Sequence, residues 1–365
     1  MIMKTPNVLS VTYWMYEAVL PCYDISVKEC YEGCRQMMGI PPEAQPYLNG
    51  HLCDWNHIPL SGGRLEFVVP CGRKGGEPLP HNTPFSLFTG DSLDVLSQFD
   101  DGSVDCCVTS PPYFNLRRYG NLQEIGKEET LAEYIQNLVR VFREVKRVIR
   151  DDGTCWIVIG DQYSRSLKSA GVLKGNLMQL PDRLAMALVA DGWNYRQENI
   201  WDKPNRHPDG ARCRPSSCTE KILMMTKSSK NYYDIDSVRV PYVTNPRVKK
   251  RSDYSTYDHP EIGSNSIGSK LVYPHPDGKN IRNVWRVNVG HYAGSHKATF
   301  PPELIEPCIR CSAPRNGIVL DCFSGAASTG VAALNNGRRY VGIDLYEEYN
   351  KEAERRLRDV LRGLI

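Results

Sequence analysis

The stretch IVLDCFSGAASTGVAALNNGRRYVGIDL, Ile318 to Leu345, runs from an apolar strand through a turn of small residues into a helix, then a second strand ending in Asp344. Ile318, Val319 and Leu320 are continuously apolar, as a strand covered on both faces of a sheet requires. Gly325, Ala326 and Ala327 let a ligand come close to the backbone of the turn. Asp344 follows that turn at close to the ~20 residues that separate a glycine-rich turn from the ribose-binding acid of a βαβ nucleotide unit. Tight packing alone also explains a small-residue turn, but an acid at this offset can accept from both ribose hydroxyls. The turn lacks the further glycines of a dinucleotide fingerprint and the lysine of a phosphate loop. A nucleoside without phosphates, such as S-adenosylmethionine, is therefore the expected cofactor.

Outward from this unit the alternation repeats. FSLFTGDS (Phe85–Ser92) reads as a strand ending in Gly90-Asp91, VDCCVTS (Val104–Ser110) as a continuous apolar strand, and TCWIVIGD (Thr154–Asp161) as another. Between the last two, Leu131, Tyr134, Ile135, Leu138, Phe142, Val145 and Ile149 recur at helical spacing, with Gly153 beyond the end. PDRLAMALVADG, from Pro181, and ELIEPCIRCSAPRNG, from Glu303, read as helices; NIWDKPN, from Asn199, and KILMMTKS, from Lys221, read as strands. Glu347 to Leu364 is a charged amphipathic helix. The order predicts an α/β fold, a Rossmann-like, doubly wound and mostly parallel sheet. Ligands of such sheets bind outside the carboxyl ends of the strands, which here carry Asp91, the corner Ser110-Pro111-Pro112-Tyr113, and the run from Asp321 to Gly325.

Residues 1–80 have a different texture, rich in Cys, Pro and Gly, and PCGRKGGEPLP (Pro70–Pro80) reads as a linker. An N-terminal accessory segment over 1–80 and one large domain over 81–365 are expected. Cys22, Cys30, Cys34, Cys53 and Cys71, with His51 and His57, lack the short CxxC-like pairs of structural zinc sites, so no metal is expected. The 365 residues are 41% hydrophobic and 24% charged, ordinary for a globular chain, and the net charge of +3 permits a nucleic-acid partner without demanding one. No apolar run approaches a membrane span, and the first residues lack the charged head and apolar core of a signal peptide. With 13 cysteines, an odd number, mostly free thiols in a reducing, cytoplasmic setting are expected.

Two features remain. Proline cannot donate to a sheet ladder, so VDCCV must end at Pro111-Pro112. Methyl transfer to an exocyclic amine needs its nitrogen aligned in line with the sulfonium methyl, and two acceptors gripping its two N–H bonds would draw it toward a tetrahedral, nucleophilic form. The Ser110 oxygen and a proline carbonyl can be those acceptors, held still by the prolines, while Tyr113 offers a face for a flipped base. A plain strand terminator with a core tyrosine is the alternative. The second feature is the irregular region 241–297, which carries Arg247, Lys249, Lys250, Arg251 and Arg282 among its bases against the acids Asp253, Asp258, Glu261 and Asp277. A loop-rich insertion of this length in a compact domain is functional or a solvated loop.

From about Phe85 to Asp359 the chain resembles the DNA amino-methyltransferases that use S-adenosylmethionine. TSPPY, Thr109 to Tyr113, is similar to their catalytic motif, in the serine form associated with cytosine-N4 methylation; adenine-N6 enzymes more often carry aspartate there. HKATFPPELIEPCI (His296–Ile309) and the Ile318–Leu345 unit resemble the methionine-side and adenosine-side cofactor motifs. The catalytic motif comes first, as in the beta class, whose target-recognition region lies between the two, where 241–297 sits. The resemblance implies catalytic and base-binding roles for Ser110, Pro111, Pro112 and Tyr113. It places Phe323, Gly325, Ser328 and Thr329 beside the cofactor with Asp321, Asp344 on its ribose, Asp91 near its adenine, and Phe300 and Pro301 near its methionine end. Lys249, Lys250, Arg251 and Arg282 become candidate DNA contacts. The implied partner is double-stranded DNA, with a companion restriction endonuclease allowed. Cys322 departs from the family's usual proline, and Ala326-Ala327 from its Ser-Gly.

A carbon-5 cytosine methyltransferase would need a Pro-Cys-Gln nucleophile, and Cys22, Cys71 and Cys308 are followed by Tyr23, Gly72 and Ile309. An NAD-linked oxidoreductase gives no reason for Ser-Pro-Pro-Tyr. A non-catalytic DNA-binding module needs neither the cofactor turn nor the rigid corner. Adenine N6 remains open beside cytosine N4, and RNA is a weaker alternative substrate.

Overall fold

The computed structural model describes residues 83–115, 124–167, 171–244, 274–290 and 299–363, short elements within 8–68, and two dipeptide strands between 249 and 272. In the N-terminal part, β1 (Val8–Tyr13), β2 (Tyr16–Pro21), β3 (Gln45–Leu48), β4 (His51–Leu52) and β5 (Arg64–Val68) form a five-stranded sheet in the order β2-β1-β5-β3-β4, accompanied by α1 (Val27–Met38). Cys30 on α1 is buried; Cys22, Cys53, Cys71 and His57 lie outside the described residues.

The rest of the chain builds a second sheet. Its strands are β6 (Phe85–Thr89), β7 (Val104–Thr109), β8 (Ile149–Ile159), β9 (Asn194–Asp202) and β10 (Thr219–Thr226), followed by β13 (Val284–Arg286), β14 (Ile318–Asp321) and β15 (Arg339–Asp344). A separate pair, β11 (Lys249–Lys250) and β12 (Leu271–Val272), runs antiparallel. The eight strands stand in the order β13-β9-β10-β8-β7-β14-β15-β6. All neighbours are parallel except β10, which runs against both β8 and β9. The reversal follows from connectivity: no helix separates β9 from β10, and a parallel return needs a crossover.

The helices α2 (Ser92–Leu96), α3 (Leu131–Val148) and α4 (Leu180–Ala190) bury their apolar sides against one face of this sheet; α5 (Pro302–Ser312), α6 (Ser328–Asn335) and α7 (Glu347–Leu361) cover the other. α3 begins in a capping box, in which the Thr130 hydroxyl accepts from the Glu133 N–H and the Glu133 carboxylate from the Thr130 N–H. Its buried stripe is the one its spacing predicts, Leu131, Tyr134, Ile135, Leu138, Phe142 and Val145. Ile149, which continues the same spacing, is instead the C-cap, with extended backbone, and opens β8.

Candidate active site

Because β6, β7, β14 and β15 pair in parallel, their carboxyl ends reach one edge of the sheet. A cavity of about 340 Å3 opens there, walled by Asp91, Phe323, Gly325, Ser328 and Asp344 on the β6, β14 and β15 ends and by Ser110, Pro111, Pro112 and Tyr113 on the β7 end. Phe300 and Asp321 complete the wall expected from the sequence.

The turn after β14 reverses sharply. Gly325 and Ala327 both have left-handed backbone, with φ of 50° and 56°. Glycine takes that conformation freely; an alanine there is strained. The turn is held by the Ser324 hydroxyl on the Tyr340 hydroxyl at 2.8 Å and by Arg356, which donates to the Ala326 carbonyl at 2.8 Å. Asp344 closes the unit: its Oδ2 accepts from the Gly325 N–H at 2.8 Å and its Oδ1 from the Tyr346 N–H at 2.9 Å. Burial pushes the Asp344 carboxyl up to about 6. Each oxygen keeps acceptor capacity for a hydroxyl.

Asp321 ties this turn to the β7 corner. The hydroxyls of Thr109 and Thr329 each donate to it at 2.6 Å, and the Phe323 N–H at 3.1 Å. Burial raises its carboxyl to about 6 against the pull of those hydroxyls. Thr329 is thus fully buried behind the wall and braces Asp321. Pro301 is likewise set back, as the N-cap of α5. Asp91 caps α2, its Oδ1 accepting from the Leu93 N–H at 2.8 Å.

The corner itself is anchored at successive points. The Pro112 carbonyl accepts from the Tyr134 hydroxyl at 2.9 Å, and the Phe114 carbonyl from the Gln162 amide. Asn115, at a left-handed φ of 51°, donates to the Gly126 carbonyl at 2.8 Å. With Pro112 committed to Tyr134, the carbonyl on offer beside Ser110 is that of Pro111.

Sequence reasoning missed two charged residues of the wall. Lys203, just past β9, is buried, pairs with Glu220 and lies 3.9 Å from the Trp201 ring centroid. Glu220 accepts from the Tyr113 hydroxyl at 2.9 Å. Burial lowers the Lys203 ammonium's pKa, while burial and the Glu220 charge raise that of the Tyr113 phenol. The available signal was a Lys-Pro at one strand end and a glutamate opening the next strand. Of the candidate DNA contacts, Lys249 and Lys250 form β11, Arg251 lies outside the described residues, and Arg282 is exposed, away from the cavity wall. Among the described residues no helix is long and apolar enough to cross a membrane.

The PvuII DNA methyltransferase (cytosine-N4-specific) shares the fold, with a TM-score of 0.53 at 18% identity over 77% of this chain and 93% of that one. A Thermus thermophilus DNA modification methylase, solved with S-adenosyl-L-methionine, gives 0.51 at 24% identity over 76% and 96%. The architecture is that of the class I methyltransferases. Within that class the chain belongs to the N6/N4 methyltransferase family of DNA methylases, which matches residues 104–355. It is 38% identical to the Type II methyltransferase M.XycI of Xanthomonas campestris pv. cyanopsidis, over 74% of this chain and 87% of that protein. Its identity to M.Cfr9I of Citrobacter freundii is also 38%, over 77% and 90%.

Proposed function

We propose that this DNA methyltransferase acts on the exocyclic amine of a flipped base in double-stranded DNA, cytosine N4 in preference to adenine N6. The observation that carries the proposal is Ser110, an uncharged acceptor fixed at the end of β7 on the same cavity as Asp344 and Gly325. S-adenosyl-L-methionine, when bound, supplies the methyl group on a sulfonium cation. The residues fit it: Asp344 and Asp91 line the adenosine end, where carboxylates suit ribose and adenine but repel phosphate, and Phe323 and Phe300 give apolar cover. Ser110 Oγ and the Pro111 carbonyl then hold the two amine N–H groups, aiming the nitrogen lone pair along the transfer path. Tyr113 stacks on the base, and the amine's displaced proton leaves to water.

Residues 81–365 form the methyltransferase domain, with 241–297 as target-recognition insertion contacting DNA through Lys249, Lys250, Arg251 and Arg282. In support of a separate unit over 1–80, its described strands pair only with one another. The relatives' Type II names favour a cytoplasmic enzyme working beside a restriction endonuclease. Incubating unmodified DNA with enzyme and cofactor, digesting to nucleosides and weighing the product tests the proposal. N4-methyldeoxycytidine is expected; N6-methyldeoxyadenosine would move the target to adenine, and 5-methyldeoxycytidine would overturn the mechanism.

A further inference from the structure

Glu220 and Trp201 face each other across the β9–β10 pair, and Lys203 lies two residues past Trp201. The Lys203 ammonium pairs with Glu220 Oε1, and Glu220 Oε2 accepts the Tyr113 hydroxyl at 2.9 Å. All three side chains line the cavity that contains Ser110. From this chain of contacts we propose that Glu220, clamped by Lys203, is a positioning residue that locks the Tyr113 ring as the stacking face for the target base. The proposal rests on the amino-methyltransferase function above.

An ion pair in the interior costs both partners their hydration, and apolar residues of similar volume commonly stabilise a fold as well or better. Packing therefore gives no reason for a buried Lys–Glu pair at this point. Preorganisation does. A charge-assisted hydrogen bond to the tip of a tyrosine restricts its ring before the base arrives, so less freedom is lost at capture. The surroundings are cut to the same shape. A Cβ on Gly160, at the end of β8, would sit 3.0 Å from Glu220 Cγ and 3.1 Å from Glu220 Oε1, so the bare glycine leaves the path that the glutamate occupies. Tyr113 also stays protonated, and hence a donor, because burial and the Glu220 charge raise its pKa.

The test uses the full-length protein and a duplex carrying its methylation site, mapped beforehand on unmodified genomic DNA. Single-turnover transfer from tritiated cofactor is measured at saturating DNA and cofactor, and cofactor affinity by calorimetry. Wild-type transfer tests the underlying function by itself: no label in the DNA overturns that function before any variant is compared. The ratios of variant to wild type test the clamp. Tyr113→Phe and Glu220→Ala should each slow transfer by about 10–100-fold, the scale of a misplaced reacting group. The double variant should be no slower than Glu220→Ala, because the two act as one unit. Glu220→Gln, whose amide oxygen still accepts from Tyr113, should recover most of the rate. Gly160→Ala displaces Glu220 without deleting it, and should slow transfer with its unfolding midpoint unchanged. Cofactor affinity should stay within about twofold of wild type in every variant, as expected for groups that act on the base alone. Tyr113→Phe or Gly160→Ala at the wild-type rate, losses that multiply in the double variant, or a Glu220→Gln as slow as Glu220→Ala would overturn the clamp.

Discussion

The Asp344 carboxylate accepts the Gly325 N–H at 2.8 Å, so the acid that ends β15 is tied to the turn that ends β14. One hydrogen bond thereby fixes both the ribose acceptor and the small-residue floor beneath it. Asp344→Ala should weaken S-adenosylmethionine binding by roughly 1.5–3 kcal/mol, the range for hydrogen bonds to a charged group. Titration calorimetry checks this, and equal affinities would remove Asp344 from the site.

The same residue sets a pH dependence. Burial raises the Asp344 carboxyl to about 6, so it is ionised above that pH and protonated below it. The ionised form offers more acceptors to the ribose hydroxyls. Cofactor affinity should therefore rise as pH increases from 5 to 7, with a midpoint near the about 6 of Asp344. Asp344→Asn should flatten that rise. Asp321 titrates in the same window, so a dependence that survives in the asparagine variant would belong to Asp321 instead.

Ala327 sits at a φ of 56° as the N-cap of α6, without a side-chain cap hydrogen bond. Left-handed backbone costs a non-glycine residue roughly 1–2 kcal/mol, and alanine is a poor N-cap compared with glycine. Ala327→Gly should stabilise the protein by about 1 kcal/mol once the glycine's greater unfolded-state freedom is offset. A shift of the urea midpoint to higher concentration with an unchanged slope is the expected result.

The basic insertion makes a separate prediction. Replacing Lys249, Lys250 and Arg251 together by glutamine should weaken DNA binding and lower the slope of log affinity against log salt by up to ~0.9 for each phosphate no longer neutralised. A filter-binding series across salt concentrations measures it. An unchanged slope would place the DNA-binding surface elsewhere.

What was legible in the sequence is what is local. The Ile318–Leu345 unit declares itself through an apolar triplet, a small-residue turn and an acid at a fixed offset, and the structure brings Gly325 and Asp344 together as that pattern predicts. The corner at Ser110 was legible because paired prolines must end a strand. Strand direction was less so, since β10 reverses for want of a crossover helix. Thr329 was expected beside the cofactor because it follows Ser328, yet one step along a helix turns a side chain by about 100°, and it faces Asp321 instead. The left-handed backbone of Ala327 leaves no mark in an alanine. Lys203 and Glu220 stayed hidden because their partner, Tyr113, is about a hundred residues away in sequence.

The central claim, that the Ser110-Pro111-Pro112-Tyr113 corner grips the target amine, is tested most directly by single-turnover methylation with Ser110→Ala and tritiated cofactor. An acceptor used mainly in the transition state lowers turnover without a matching change in ground-state binding. The predicted result is a transfer rate down by about a hundredfold or more, with cofactor affinity nearly intact. Transfer at the wild-type rate would contradict the claim and leave the corner as a strand terminator.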